Sequence, residues 1–292
     1  MWWQSISTMQ LSELQGAGIG LRRGLVAPFQ SFGDLNPVQF MEVAPENWIT
    51  VGGQSKKDFL AFASKYPMVL HGLSLSIGGP DALNETLVKS IKKFKADIQS
   101  PIYSEHLSYC SDGGQLYDLM PIPFTEAAAS YVADRVLRVQ DILGERMALE
   151  NVSYYLTQPG SEMSELEFIN LVIEKSDCLL HLDVNNIYVN SINHNYDAFD
   201  FLDRLPHEKI AYIHIAGHFD EADDLKVDTH GDEVIESVWQ LLAHTYKNYG
   251  VFPTLLERDF NFPPVAELLK EVNRIDTLQN QYQSTNKNHA HL

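Results

Sequence analysis

The chain has 292 residues, of which 45% are hydrophobic, so it fits one large soluble domain or two small ones. Its 21 basic and 39 acidic residues give a net charge of −18, which argues against nucleic acid and anionic membranes as partners. The sequence has neither a long apolar segment nor a signal-peptide pattern, so we expect a cytoplasmic protein. The two cysteines, Cys110 and Cys178, cannot form a disulfide framework, and we expect both to be small apolar core residues.

Eight short apolar runs with strand character alternate with helical segments along the chain. The predicted strands cover residues 16–21, 40–44, 68–77, 102–109, 147–152, the apolar first half of 178–190, 210–216 and 254–258. The predicted helices cover residues 55–65, 81–98, 125–143, 162–175 and 196–204, a long segment ending near 248, and 264–276. The glycine-rich run at 16–21 is not a nucleotide-binding loop, because no helix opens directly behind it.

This alternation predicts parallel strands that are joined by helical crossovers. Eight such units in one chain of this size favour a closed α/β barrel of the (β/α)8 type, the TIM barrel. We therefore predict an N-terminal arm over residues 1–15, a barrel over 16–277 and a disordered polar tail over 278–292.

Residues of metal-binding types recur at the carboxyl ends of the predicted strands. Six come from six different strands and two from a DTHG loop at 228–231, and they are His71, His106, Glu150, Asp183, His214, Glu257, Asp228 and His230. The carboxyl ends of barrel strands meet at one mouth, so we expect these side chains to converge there. No single spacing is diagnostic, and the prediction depends on the joint pattern.

Each of these residues also has an ordinary explanation. A lone strand histidine such as His71 is more often a hydrogen-bonded core residue than a ligand, and the DTHG loop can be a plain turn. Glu150 and Glu257 are harder to explain in this way, because each ends an apolar run and a buried carboxylate needs a partner. Arg22, Arg258 and the lysine-rich helix faces can pair with these acids, but four carboxylates on one rim repel one another strongly, which favours bound cations.

Mixed imidazole and carboxylate ligands suit iron, manganese or zinc better than calcium or magnesium alone. His71, His106 and Glu150 form a two-histidine, one-carboxylate set, which favours iron(II) with open positions for O2 and substrate. Eight ligands exceed the needs of one ion, so Glu150 is predicted to bridge two ions that lie about 3.5–4 Å apart. We predict two or three iron ions in the active form, and other divalent metals can occupy the same ligands in purified protein.

Several motifs of the chain resemble the multinuclear non-heme iron-dependent oxidative enzymes, formerly a domain of unknown function, among the xylose isomerase-like and endonuclease IV-like barrels. These motifs are PENW (45–48), HGLSLSIGG (71–79), SEHLSY (104–109), LENVS (149–153), LDVNNIYV (182–189), HIAGH (214–218), DTHG (228–231) and LLERD (255–259). The resemblance spans about residues 16 to 275. It implies an enzyme that uses iron and O2 to modify cysteine in a peptide during natural-product biosynthesis, with a partner recognition protein as a candidate component.

The resemblance also implies how the ligands are divided. One ion would take the catalytic residues His71, His106 and Glu150. A second would share Glu150 and add Asp183, His214 and Glu257. A third would take Asp228 and His230, with Asn186 beside them, where endonuclease IV-like zinc enzymes have a histidine. Residues that would support the ligands or face the substrate are Glu46, Asn47, His218 and Arg258.

Two other functions remain as alternatives. The first is a metal-dependent hydrolase or isomerase of the endonuclease IV or xylose isomerase type, and both the acidic charge and Asn186 count against a zinc phosphodiesterase. The second is a non-catalytic module that binds metal or peptide. Open coordination positions and the large number of ligands make this module the weaker hypothesis.

Overall fold

The computed structural model describes residues 9–289, with side chains to residue 284, and it confirms the predicted (β/α)8 barrel. The strands are β1 (Ala17–Gly20), β2 (Phe40–Val43), β3 (Met68–His71), β4 (Tyr103–His106), β5 (Tyr109–Ser111), β6 (Gln115–Met120), β7 (Ala148–Glu150), β8 (Leu179–Asp183), β9 (Ile210–Ile215), β10 (Phe219–Ala222), β11 (Leu225–Val227) and β12 (Thr254–Leu256). The α-helices are α1 (Val26–Phe32), α2 (Gly53–Ala63), α3 (Glu85–Ile98), α4 (Glu126–Leu143), α5 (Glu165–Ser176), α6 (Val184–His194), α7 (Ala198–Asp203), α8 (Glu236–Tyr249) and α9 (Val265–His289).

Eight parallel strands close the barrel in the order β1, β2, β3, β4, β7, β8, β9 and β12, and β12 pairs again with β1. The register brings the last inward-facing residues of neighbouring strands side by side. His106 of β4 is paired with Glu150 of β7, and Asp183 of β8 is paired with His214 of β9. The strand pairing therefore places four of the predicted ligands at one end of the barrel.

Side chains alternate between the barrel interior and the layer of helices, as the pleat of a strand requires. An apolar cluster fills the interior away from the mouth and contains Leu14, Phe40, Val69, Ile102, Ala148, Ala211, Tyr212 and Leu255. A Cβ atom on Gly18 would lie only 2.5 Å from the Phe40 ring, so the glycine makes room for this filling. The glycine-rich run is thus a barrel strand, as predicted.

The barrel strands are shorter than predicted, most of all the third and the fourth, and two helices, α1 and α6, were not predicted. The strands that were expected to reach residues 77 and 109 end at His71 and His106, and the chain forms the hairpins β5–β6 and β10–β11 in later loops. Helix α6 begins immediately after β8, because the Asp183 side chain caps it and accepts a hydrogen bond from the Asn186 backbone at 2.6 Å.

The C-terminal segment differs from the predicted disordered tail, because α9 passes residue 276 and continues to His289. Its face carries buried Leu268, Val272 and Ile275. Gln279 then donates hydrogen bonds to the carbonyls of Gly16 and Phe252 at 3.0 and 2.9 Å, which fastens the polar part of the helix to the barrel. Residues 290–292 of the predicted tail and 1–8 of the predicted arm lie outside the described residues.

The described part of the arm is short, and its Leu14 is buried in the interior cluster. Cys110 and Cys178 are buried and free, as predicted. Among the described helices, none is both long enough and apolar enough to cross a membrane.

Candidate metal centre

The first predicted ligand set forms a tight triangle at the mouth. The Nε2 atom of His71 lies 3.1 Å from Nε2 of His106 and 3.1 Å from Oε2 of Glu150. The third side, from His106 Nε2 to Glu150 Oε2, is 3.3 Å. Ligand atoms bound at about 2.1 Å to one ion lie roughly 3–3.5 Å apart, so the triangle has the size of one face of a coordination shell.

The second predicted set surrounds His214. Its Nδ1 atom lies 2.9 Å from Glu257 Oε2, 3.7 Å from Glu150 Oε1 and 3.9 Å from Asp183 Oδ2. The ligand atoms of Glu150, Asp183, His214 and Glu257 all lie within 4.8 Å of one another. Glu150 presents Oε2 to the first set and Oε1 to the second, which is the geometry that a bridging carboxylate needs.

The third predicted set is only partly brought together. His230 Nε2 lies 2.6 Å from Asp228 Oδ1, as the prediction requires. The other ring nitrogen, Nδ1, instead faces Glu257 Oε2 at 3.2 Å and Asp259 Oδ2 at 3.4 Å. The three-residue group that the structure forms is therefore His230, Glu257 and Asp259. His230 has a φ of 50°, in the left-handed region that non-glycine residues seldom adopt.

The imidazoles and carboxylates of the mouth shift one another's pKa values. Burial lowers the pKa of His71, but the charges of Glu150 and Glu42 outweigh burial and raise it to about 9. Burial, together with the neighbouring His71, lowers the pKa of His106 to about 4. Burial raises the pKa of Asp183 well above its ordinary value, and the Glu150 charge adds to this effect. Cations at the mouth would displace protons from such groups.

Several buried polar atoms at the mouth make no directed hydrogen bond, although some lie within ion-pair distance of one another. They include Glu150 Oε2, Asp183 Oδ2, Asn186 Oδ1, His214 Nδ1, His230 Nε2 and Glu257 Oε2. Buried polar atoms almost always have partners, so a group of them requires an explanation. These are nitrogen and oxygen atoms of the kinds that coordinate transition metals, and the residues present therefore fit metal ions.

Three polar residues at or beneath the mouth were not predicted, and they are Glu42, His181 and Asp259. The period-2 rule of strands was sufficient to find two of them. His181 lies two residues before Asp183, and Asp259 lies two residues after Glu257. The isolated Glu42 inside the apolar run FMEV indicates a buried carboxylate in the same way.

Arg22 places a positive charge beside two of the carboxylates at the mouth. Its guanidinium donates hydrogen bonds to Asp259 Oδ1 at 2.6 Å and to Glu257 Oε1 at 2.7 Å. A Cβ atom on Gly20 would lie 3.1 Å from the guanidinium carbon, so the absence of a side chain at this position helps to accommodate the arginine. Arg22 was predicted only as a possible partner of the acids, and the structure gives it that role.

The four predicted supporting residues occupy different places. Glu46 Oε1 accepts hydrogen bonds from the backbone of Leu73 and Ser74 at 3.0 and 3.1 Å, so it orders the loop after β3. His218 Nδ1 lies 2.8 Å from Asn185 Oδ1 on α6. Asn47 is exposed.

Arg258, the fourth supporting residue, lies behind the last strand. It donates to the Gly231 carbonyl at 3.2 Å and to Glu271 of α9 at 2.9 Å. It therefore braces the DTHG loop against α9.

Glu105 illustrates the alternation of facing within β4. Its Oε1 atom accepts hydrogen bonds from Tyr103 Oη at 2.8 Å and from the Leu75 backbone at 3.2 Å. Burial, with the Glu46 charge beside it, raises the pKa of Glu105 to about 7. It belongs to none of the candidate ligand groups of the described residues, although it adjoins His106 in the chain.

Solved structures with the same fold have very different sequences. A 3-keto-D-glucoside 4-epimerase of E. coli aligns with a TM-score of 0.57 at 14% identity, covering 90% of this chain and 99% of its own. Endonuclease IV of Thermus thermophilus aligns with a TM-score of 0.55 at 14% identity, covering 93% and 100%. At this identity the similarity shows the fold alone, which is the (β/α)8 barrel.

Relatives in sequence cover nearly the whole chain. A UPF0276 protein of Alcanivorax borkumensis is 54% identical over 279 residues, which are 93% of each chain. A UPF0276 protein of Nitrosospira multiformis is 55% identical over 273 residues, covering 94% of this chain and 96% of its own. The family profile described as "RiPP precursor modification enzyme MbnB/TglH/ChrH" matches residues 16–280, and the chain therefore belongs to this family.

Proposed function

We propose that this protein is a multinuclear non-heme iron enzyme that uses O2 to oxidise a cysteine in a ribosomally made peptide. The observation that carries the proposal is the geometry around Glu150. One of its oxygens completes a triangle with His71 and His106, and the other faces the group around His214. Two histidines and one carboxylate on one face of an ion are typical of iron(II) oxygenases that keep positions open.

Iron held by these residues would supply the redox capacity and the Lewis acidity needed to oxidise a thiolate with O2. The chain itself prepares the environment for that chemistry. His71, Glu150 and His214 are at most 3% exposed, so bulk water has little access to the ligands. In such a setting electrostatic interactions are stronger than in water, and a thiol brought to the mouth would lose its proton more easily beside a cation.

The loops around the mouth offer contacts for a peptide. Exposed apolar side chains lie on the loops that follow several barrel strands, and they include Leu73, Tyr117, Tyr155, Phe219 and Phe260. Tyr155 also fixes the DTHG loop, because its Oη accepts a hydrogen bond from the Asp228 backbone at 3.0 Å. Exposed aromatic residues of this kind are enriched where proteins bind peptides. The family description supports a peptide precursor as the substrate class.

Hydrolysis or sugar isomerisation receives less support. The epimerase and the nuclease share only the barrel with this chain, and fold alone does not transfer chemistry. A net charge of −18 would repel a DNA backbone from the mouth. Position 186 also carries an asparagine, whose buried Oδ1 makes no hydrogen bond, where endonuclease IV-like zinc enzymes have a histidine.

The proposal is tested on protein purified without O2 and loaded with Fe2+. We expect at least two iron equivalents per chain, and an iron–nitrosyl signal in electron paramagnetic resonance after nitric oxide is added. Co-expression with a panel of cysteine-containing precursor peptides should then give a mass change in at least one of them. The matched panel carries Cys→Ser replacements and should show none.

Each of these experiments also has an outcome that would refute the proposed function. A protein that binds fewer than two equivalents of any transition metal would remove the basis of the proposal. A mass change that persists in the Cys→Ser peptides, or that occurs without O2, would show that cysteine oxidation is the wrong reaction. Full activity after complete metal removal would show that the reaction does not depend on metal ions and would also refute the proposal.

A further inference from the structure

A continuous chain of buried hydrogen bonds runs beneath the mouth and joins two of the histidine ligands. His71 Nδ1 lies 2.8 Å from Ser104 Oγ, which lies 2.7 Å from Tyr212 Oη. Tyr212 Oη donates to Glu42 Oε2 at 3.0 Å, and His214 Nε2 lies 2.7 Å from the same oxygen. The chain is closed off from solvent, since four of these residues are 0% exposed and His71 is 3% exposed.

The direction of every bond in this chain follows from its terminal carboxylate. An ionised carboxylate only accepts hydrogen bonds, and the Arg22 guanidinium 3.5 Å from Glu42 Oε1 favours the ionised form. Tyr212 must therefore donate to Glu42 and accept from Ser104. Ser104 then donates to Tyr212 at 2.7 Å, since its other acceptor, the Leu70 carbonyl, lies 3.4 Å away, and it accepts the proton of His71 Nδ1. From the other side, His214 must donate its Nε2 proton to Glu42.

These directions settle which ring nitrogen of each histidine is free for a metal. When an ion displaces the second proton of each ring, His71 would offer the lone pair of Nε2, the atom 3.1 Å from Glu150 Oε2. His214 would offer the lone pair of Nδ1, the atom 2.9 Å from Glu257 Oε2. Both lone pairs thus belong to atoms that the ligand geometry had already placed in the two candidate sets. In each ring, one nitrogen therefore faces the hydrogen-bond network and the other faces the candidate ligand set.

We infer that Ser104, Tyr212 and Glu42 are positioning residues that select opposite tautomers of His71 and His214 and so orient the ligands of two neighbouring ions. The inference rests on the proposed metal sites and is independent of the reaction performed there. A histidine ligand commonly donates its second N–H to a carboxylate or hydroxyl, which fixes the ring and raises its basicity. Here one hydrogen-bond network contacts a histidine of each ligand set, so it fixes the ring orientation of a ligand in both sites.

Glu42 is better suited to this role than to binding an ion itself, although it lies near His181 and His214 in a possible ligand group. Its Oε2 atom already accepts two hydrogen bonds, from Tyr212 and His214. Its Oε1 atom faces both terminal nitrogens of Arg22 at 3.5 Å. The His181 ring stacks on the Tyr212 ring, with the centroids 4.0 Å apart, and so helps to orient the Tyr212 hydroxyl toward Glu42.

The first test observes the tautomers directly. Wild-type protein with 15N-labelled histidine is loaded with Zn2+, a diamagnetic probe, and its ring nitrogens are assigned by long-range 1H–15N correlation. We expect a proton on Nδ1 and metal on Nε2 in His71, with the reverse arrangement in His214. The same tautomer in both rings would overturn the inference even if Zn2+ binds fully. If Zn2+ does not bind, the metal sites and the inference are both rejected.

The second test separates positioning from a general structural role. Metal-free Ser104→Ala, Tyr212→Phe and Glu42→Gln are titrated with Co2+, and the visible bands of the two sites are assigned with His106→Ala and Asp183→Ala. We expect Ser104→Ala to weaken the first site and Glu42→Gln the second, each by about 10- to 100-fold. Tyr212→Phe should weaken both sites by less, because each histidine keeps one hydrogen-bond partner.

The matched control is Glu165→Gln, the same substitution at a buried carboxyl that lies between α5 and α6 and outside the candidate ligand groups of the described residues. It should leave both cobalt affinities within about threefold of the wild type. Loss of affinity at both sites to an equal degree in Ser104→Ala and Glu42→Gln would indicate general damage and overturn the inference. Affinities within threefold of the wild type in Glu42→Gln would overturn it as well.

Discussion

Charged residues at the two ends of the barrel differ in their exposure to solvent and in whether they have partners of opposite charge. At the amino ends of the strands, Asp177 pairs with Arg146 and with Lys209, and its side chain is 55% exposed. At the carboxyl ends, Glu150 and His214 are at most 2% exposed, and several of their polar atoms have no directed partner. Charges at the amino ends of these strands are thus exposed and paired, whereas those at the carboxyl ends are buried and lack a full set of partners.

This difference indicates which charged residues serve the stability of the fold and which serve its function. Exposed ion pairs contribute only about 0–1 kcal/mol each, and they can be exchanged with little effect. Buried charges without full compensation are costly, and they are retained where a ligand or a reaction uses them. Substitutions at the mouth should therefore change the metal content, whereas substitutions at the amino ends of the strands should affect stability alone.

The largest effect is expected for Glu150→Gln at the centre of the mouth. Loss of the bridging charge should remove the ion held with His71 and His106 and abolish oxidation. Asp183, His214 and Glu257 should retain one ion, and the barrel should stay folded because the rim becomes less repulsive. Elemental analysis after anaerobic purification and circular dichroism provide the measurements.

Glu105→Gln is the matched control for this prediction, since the Glu105 carboxylate bonds to Tyr103 and to the loop after β3 and belongs to no candidate ligand group of the described residues. It should keep the wild-type metal content. Full metal content and turnover in Glu150→Gln, combined with their loss in Glu105→Gln, would contradict both the bridge and the strand facing.

The stability lost on replacing Arg22 at the mouth and Arg146 at the opposite end tests whether charges at the two ends of the barrel differ in importance. Arg22→Met should destabilise the metal-free protein by about 3–5 kcal/mol, because Glu257 loses a partner in a buried setting. Added divalent metal should restore part of this loss. Arg146→Met at the opposite end removes a pair with a half-exposed Asp177 and should cost about 0–1 kcal/mol. Chemical denaturation with and without metal measures both, and equal losses would refute the contrast.

A smaller, pH-dependent effect is expected at Glu165 in the layer of helices. Burial raises the pKa of Glu165 to about 8, whereas glutamate in an unfolded chain titrates near about 4.3. Between these values the folded protein holds a proton that the unfolded chain releases, so stability falls as the pH rises through this window. Glu165→Gln removes this loss, and its stability relative to the wild type should rise by on the order of a few kcal/mol by pH 8.

Glu167→Gln checks the sign of that effect, because hydrogen bonds from Ser164 lower the pKa of Glu167. The folded protein here favours the ionised form. This variant should therefore lose stability relative to the wild type as the pH rises through the acidic range. Thermal melts at matched pH values measure both variants, and trends of the same sign would refute the assignment.

The smallest effect is expected for Cys178→Ala in the core. Burial raises the pKa of the Cys178 thiol to about 11, so the group stays protonated and acts as a small apolar side chain. The substitution should cost about 1 kcal/mol and leave the metal content intact. A loss of bound metal would show that this cysteine has a role at the metal centre.

The barrel and most of its candidate ligands were predictable because both depend on local patterns. Apolar runs ending in His71, Glu150 or Asp183 indicate strands with polar ends, whatever the strands pack against. The missed residues Glu42 and His181 are single polar residues among apolar ones, and only their position on the inner face of the barrel distinguishes them from surface residues. Helix α6 was missed because its cap, Asp183, had already been interpreted as a strand end.

The sequence by itself determined the alternation of strands and helices and the kinds of ligand at the strand ends, since each follows from residues close together in the chain. Only the tertiary structure decided that Glu150 turns one oxygen to each ligand set, and that His230 faces Asp259 as well as Asp228. It also decided that α9 continues past residue 276, where Gln279 bonds to Gly16 across the barrel. These features depend on distances between residues far apart in sequence, and barrel closure sets those distances.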